Sequence, residues 1–168
     1  MLSTKDISRL GLMIAVLEVS KLALNHLPNI ELVSFWIILF TLTFGFRTLY
    51  AVYGFVCIEG ILYGIHFWWV AYLYVWTILV LLVHCFRSQQ SPLFWSIVSA
   101  LFGLFFGALC AIPYFITGIL SGGLYNGFIA GFSWWIAGVP YDFLHCIGNF
   151  CVMLVLYKPV RNIMRRLA

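Results

Sequence analysis

Pro140-Tyr141-Asp142-Phe143-Leu144-His145-Cys146-Ile147-Gly148-Asn149 opens the last long apolar segment of the chain. Proline suits the first turn of a helix, where its missing N–H and fixed φ cost little, so the pattern predicts a helix from Pro140 to Tyr157. Asp142 then falls in the first turn, facing the positive end of the helix dipole. Asp142, His145 and Asn149 are spaced i, i+3, i+7 and project from one face. Such a stripe has two readings. Polar side chains in a membrane helix hydrogen-bond neighbouring helices, and ionisable ones at that depth are by default a functional site.

The surroundings make this a membrane helix. Of 168 residues, 64% are hydrophobic and only 8% charged, with mean hydropathy +1.07; a soluble domain carries about 25% charged residues. The expectation is an all-α integral membrane protein forming one domain over residues 1–168. It has no Gly-rich phosphate loop, so any energy input has to come from another chain. The net charge of +4 sits mostly at chain ends and turns and is not a nucleic-acid signature. Five cysteines, an odd number without C-x-x-C spacing, indicate neither a disulfide framework nor a zinc site. Glu18 and Lys21 interrupt what would be the apolar region of a signal peptide.

Working back from the final helix, Ser121 to Gly138 is glycine-rich and reads as a long re-entrant or loop connection with room for a short helix. The preceding helix starts at Ser91-Pro92, an N-cap followed by a first-turn proline. It displays Ser99, Gly103, Gly107 and Ala111 four apart, a stripe whose ordinary meaning is tight helix packing, and Pro113 should kink or end it. A fourth helix runs to about Phe86, after a turn at Ile65 to Trp69. A third, from about Leu49 to Tyr63, carries Glu59, which has to be protonated, paired or facing a polar cavity. A short second helix runs from about Ile30 to Phe44, and Leu27-Pro28-Asn29 is a turn. The first helix, Ile7 to about His26, carries Gly11 and Ala15 as a small-x-x-x-small pair, with Glu18 and Lys21 close enough to pair.

Six crossings with both termini cytoplasmic put Lys5, Arg9, Arg47, Arg87, Lys158, Arg161, Arg165 and Arg166 on the inner side and leave only Lys21 of the nine bases outside, the asymmetry of the positive-inside rule. That topology gathers His26, Glu31, His66, Trp68, Trp69, Tyr125, Trp134, Trp135, Asp142 and His145 at the outer face. The tryptophans there are either an interfacial belt or the walls of a pocket that stacks a flat ligand.

Six short helices, the small pair in the first and the Pro-x-Asp-x-x-His start of the last resemble the substrate-binding S components of energy-coupling factor (ECF) transporters. The segments Ile30 to Trp36, Ser91 to Trp95 and Pro140 to Phe150 look like one bacterial branch of that family. The resemblance implies a multi-pass subunit of the bacterial cell membrane, itself no enzyme and without a cofactor, that captures a vitamin-like small molecule outside. It further implies docking, through Gly11 and Ala15, on a coupling transmembrane subunit driven by two ATPase subunits. The implied pocket draws on Asp142, His145, Asn149, Trp134, Trp135, Trp68, Trp69, His66, Tyr125 and Glu31. Outer-face acids (Glu31, Asp142, Glu59) outnumber bases (Lys21), so an anionic vitamin, which calls for Arg or Lys donors, is disfavoured. The branch resemblance points to cobalamin or a related corrinoid, with thiamine-like or riboflavin-like cargo as alternatives. A haem- or quinone-binding anchor using His66, His84 and His145 is the competing class. An intramembrane enzyme lacks any H-E-x-x-H or G-x-S-x-G pattern.

The topology is directly testable. A reporter fused beyond the basic tail should be cytoplasmic, and a tag inserted at Gly122-Gly123 should be reachable from outside intact cells. Finding both on one side would eliminate six crossings.

Overall fold

The computed structural model describes residues 3–27 and 29–167. Pro28, in the expected turn after the first helix, lies outside the described residues. The elements are α1 (Thr4–Ala23), α2 (Val33–Phe44), a single 3-10 turn (Gly45–Arg47), α3 (Thr48–Tyr63), α4 (Phe67–Cys85), α5 (Pro92–Cys110) and α6 (Ile112–Leu167), with no strand among the described residues. Three helical stretches are long and apolar enough to cross a bilayer: Val33–Tyr63, Phe67–Cys85 and Pro92–Arg166. The first and last of these contain internal breaks.

Helix starts follow the local chemistry. Ser3 accepts from the Asp6 amide and Asp6 from the Ser3 amide, a capping box that starts α1 three residues earlier than the hydrophobic pattern suggests. Ser91 caps α5 through the Phe94 amide, ahead of Pro92. Gly45 adopts a left-handed φ of 62° where α2 stops, a conformation glycine takes without a Cβ penalty. Past it, α3 lies alongside α1 in the same direction: Asp6 pairs with Arg47 near one end, and Lys21 with Glu59 near the other.

α2 is the centre of the bundle. Val33, Ser34, Phe35, Ile37, Ile38, Leu39, Phe40 and Thr41 are all buried, so the helix is covered on every side, as a helix apolar all round should be. At twelve residues it is ~18 Å long, well short of the ~30 Å hydrocarbon core. Side chains meet one backbone group at each end. The Ser34 amide donates to the Glu31 carboxylate at 2.9 and 3.1 Å. At the other end, Arg161 donates to the Leu42 carbonyl at 3.0 Å and to the Thr43 hydroxyl at 2.7 Å.

The expected loop from Ser121 to Gly138 is instead helix. The one break lies at Gly122 and Gly123, where Gly123 has φ 82°. There the chain turns and 124–167 runs back, antiparallel, along 112–121 and α5. An eighteen-residue loop amid apolar residues would leave its backbone groups without partners, and a helix satisfies them internally. The glycines serve packing: a Cβ on Gly118 would lie 2.7 Å from the Gly127 Cα, and one on Gly131 would lie 2.9 Å from the Phe115 Cβ. Pro140 consequently sits inside a helix rather than at its start. Pro113 does mark a break: α5 ends at Cys110 and α6 begins at Ile112. Proline there supplies no N–H to the Leu109 carbonyl four residues back, and the Tyr74 hydroxyl donates to that carbonyl at 2.7 Å.

The Ser99, Gly103, Gly107, Ala111 stripe lies against α6. A Cβ on Gly103 would approach the His145 backbone carbon at 2.9 Å and the Asn149 amide nitrogen at 3.1 Å. Gly103→Leu should therefore push α5 and α6 apart and remove the Asn149–Ser99 hydrogen bond, lowering stability by about 1–3 kcal/mol. Thermal unfolding in detergent reads this; a variant as stable as wild type would refute the close approach.

Candidate functional site

The polar stripe of α6 divides between two surroundings. Asp142 and Asn149, 3% and 2% exposed, face α5. Asp142 Oδ1 accepts from the Gly107 amide at 2.9 Å, and Asn149 Nδ2 donates to the Ser99 carbonyl at 3.2 Å. The Trp135 indole N–H lies beside the Asp142 carboxylate, and the Asn149 amide oxygen is buried without a partner. Asp142 and Asn149 therefore fasten the helix pair, the packing role a buried polar group in a bundle ordinarily has. His145, also 3% exposed, borders a cavity.

That cavity, about 280 Å³, is lined by Lys21 of α1, by Leu24, Asn25, Leu27, Asn29, Ile30 and Glu31 between α1 and α2, by Val33 of α2, Tyr72 and Trp76 of α4, Phe106 of α5 and His145 of α6. His145 Nε2 lies 3.0 Å from Glu31 Oε1. A carboxylate has no proton to give, so against an ionised Glu31 this nitrogen is the donor; His145 Nδ1 is buried without a partner. Burial pushes the Glu31 carboxyl up, but the His145 hydrogen bond and the Ser34 amide more than offset it, and the group is held below its ordinary value. One carboxylate thus caps α2 and anchors α6 at the cavity wall. The aromatic wall is continuous: Trp76 packs on Phe106 with ring centroids 5.5 Å apart, and Phe106 meets His145 edge-on at 5.0 Å.

Lys21 does not pair with Glu18 as expected. It pairs with Glu59 of α3, which is wholly buried. A surface i, i+3 pair gains only a few tenths of a kcal/mol, whereas an unpaired carboxylate at Glu59 would be far more costly. Glu18 is left with both carboxylate oxygens enclosed and unpartnered.

Of the expected pocket residues, Glu31 and His145 line the cavity, and Trp68 adjoins it through Lys21 and Tyr72. The others stand elsewhere. Trp69 donates its indole N–H to the Val56 carbonyl at 2.8 Å and fastens α3 to α4. His66 is the exposed residue before α4. Tyr125 is 76% exposed beside the Gly122-Gly123 turn. Trp134 stacks on Tyr114 at 4.7 Å, and Trp135 lines an apolar groove with Phe128 and Phe132 along the 112–138 hairpin. The sequence reading missed Tyr72, Trp76 and Phe106 as pocket walls. The i, i+4 spacing of Tyr72 with Trp76, and of Phe102 with Phe106, was the available signal. Among the described residues no three His, Cys, Asp or Glu side chains converge as a metal site.

On α1, a Cβ at Gly11 would meet nothing within 4 Å, and Ala15 is exposed. The small pair is thus not used for packing within the described chain.

No family model, no curated protein sequence and no solved structure matches this chain.

The two parts of the stripe should separate by mutation. Asp142→Leu should lower thermal stability by ~1–3 kcal/mol, through loss of a buried hydrogen bond. His145→Ala should mainly loosen the Leu24 to Leu32 connection, seen as faster amide exchange there. Equal protection of that segment in His145→Ala and wild type would sink the assignment of His145 to the cavity wall.

Proposed function

We propose that the chain is the substrate-binding membrane subunit of an uptake system of the ECF type, carrying a vitamin-like small molecule into a bacterial cell. The observation that carries this reading is the cavity bounded by Lys21, Glu31, Tyr72, Trp76, Phe106 and His145. It combines an apolar aromatic wall with a few paired polar groups, the make-up of small-molecule sites. In the proposed topology the chain crosses the bilayer six times with both ends cytoplasmic, and the cavity opens toward the outside. The hydrogen-bonded capping of α2 by Glu31 and Arg161 is compatible with so short a helix crossing within a bundle.

The cavity volume bears on the cargo. About 280 Å³ lies at the lower limit of the ~300–1,000 Å³ typical of drug-sized ligands. A corrinoid needs space at or beyond the upper limit, so the volume favours a cargo of thiamine-like or riboflavin-like size over cobalamin. His145, engaged by Glu31, and His66, in the turn before α4, are poorly disposed as a bis-histidine haem pair.

Transport by such a subunit requires a coupling membrane protein and two ATPase chains. The uncovered Gly11–Ala15 face of α1 suits close approach of a partner helix, with dispersion and weak Cα–H contacts as the attraction. Gly11→Trp with Ala15→Trp should abolish uptake and copurification of the coupling subunit while the isolated protein stays folded, because neither position is packed. Mass spectrometry of small molecules released from wild-type and double-variant protein should find the same bound species in both. Loss of that species together with loss of folding would overturn docking at this face. A wild-type protein that carries no small molecule and stimulates no ATPase would overturn the uptake reading.

A further inference from the structure

The Lys21 ammonium is enclosed by aromatic rings. The centroids of Tyr63, Tyr72, Trp68 and Phe55 lie at 5.3, 5.3, 5.6 and 5.9 Å from Nζ. Beside them the Glu59 carboxylate, 0% exposed, takes Lys21 on one oxygen and leaves the other buried without a partner. Ring faces around a cation, backed by one carboxylate, form the arrangement that recognises quaternary and protonated amines. The cage is continuous with the cavity, because Lys21 and Tyr72 belong to both. Its occupant is a lysine on a flexible stem, whose side chain is 27% exposed.

We propose that this cage is the seat for the cationic group of an organic ligand and that Lys21 is a tethered stand-in which the ligand displaces. Glu59 then exchanges one cation for another, so its buried charge is never left alone. Lys21 has a second acceptor three residues back, on the same face of α1: Glu18, whose two oxygens are enclosed and unpartnered and close enough to interact with Lys21 electrostatically. The flat body of the ligand would occupy the adjoining cavity against Tyr72, Trp76 and Phe106. The ligand class is a compact molecule bearing one quaternary or protonated amine on a flat apolar frame. This deepens the uptake reading and rests on it for its purpose, but the binding test needs no partner chain.

The probe is choline, against its neutral isostere 3,3-dimethylbutan-1-ol, titrated into the purified full chain with tryptophan fluorescence as the readout. Choline should bind wild type and the alcohol should not. Lys21→Met, which empties the cage, should bind choline about tenfold or more tighter, and Trp68→Leu should lose most of that gain. Glu18→Gln should weaken choline binding to wild type yet leave binding to Lys21→Met unchanged, because no lysine then needs a second acceptor; a merely structural Glu18 would affect both. If Lys21→Met does not fold, Lys21→Arg replaces it. The guanidinium holds Glu59 with paired hydrogen bonds, and choline affinity should fall about tenfold below wild type. Equal binding of choline and the alcohol, or a choline affinity indifferent to residue 21, overturns the proposal. Choline binding by a chain that neither copurifies with a coupling subunit nor supports uptake would retain the cage and remove only the transport reading.

Discussion

A twelve-residue helix with eight of its residues buried carries its backbone ends to the margins of an apolar interior, and α2 is such a helix. Its first amides and last carbonyls need partners, because an unmet polar group in an apolar interior costs several kcal/mol. The partners are Glu31 at one end and Arg161 of α6 at the other. Glu31 is in turn held by His145 of α6, so one helix reaches both ends of the central one. The long α6 thereby sets the position of α2, and the connection before α2 becomes one wall of the cavity.

That arrangement depends on how closely α5 and α6 approach. The glycines at 103 and 107 leave room for the His145 backbone and the Asp142 side chain, and the hydrogen bonds from Asp142 and Asn149 hold the pair in register. Between helices in a membrane the attraction is packing and hydrogen bonding rather than expulsion of water, so small residues opposite polar ones are an effective combination. The same close approach leaves His145 edge-on to Phe106 of α5 with its Nε2 toward Glu31. Structural and candidate functional residues share one stripe because helical periodicity puts them there, and small rotations about the helix axis separate their roles.

Charge economy extends the same logic. Lys21, the single base expected on the outer side, meets the wholly buried Glu59, while Glu18 remains with its oxygens enclosed. Glu59 holds the ammonium while Glu18 and Glu31 act on it electrostatically, and an aromatic enclosure favours a cation there. An internal ion pair beside a ligand-sized cavity is a natural place for exchange, since a charged guest can replace a resident charge without stranding its partner.

Much of the fold was legible in the sequence. Composition gave an all-helical chain suited to a membrane, and the helix starts at Ser91-Pro92, the packing role of the Ser99 to Ala111 stripe and the break near Pro113 followed from local chemistry. From Ser121 to Gly138 the sequence reads as a re-entrant or loop connection with a short helix, because glycine signals both a turn and close helix contact, and only the partner helix distinguishes them: Gly127 meets Gly118, whereas Gly122 and Gly123 break the helix. The site was half legible. Asp142, His145 and Asn149 share a face by periodicity, but a sequence carries no information on which neighbour that face meets, so it could not show that two of them bind α5 and one borders a cavity. Nor could it pair Lys21 with Glu59 across 38 positions in preference to Glu18 nearby. Local spacing determines which side chains one helix presents together; the tertiary structure decides which buried charge most needs a partner, because the cost of leaving it unmet depends on burial that only packing creates.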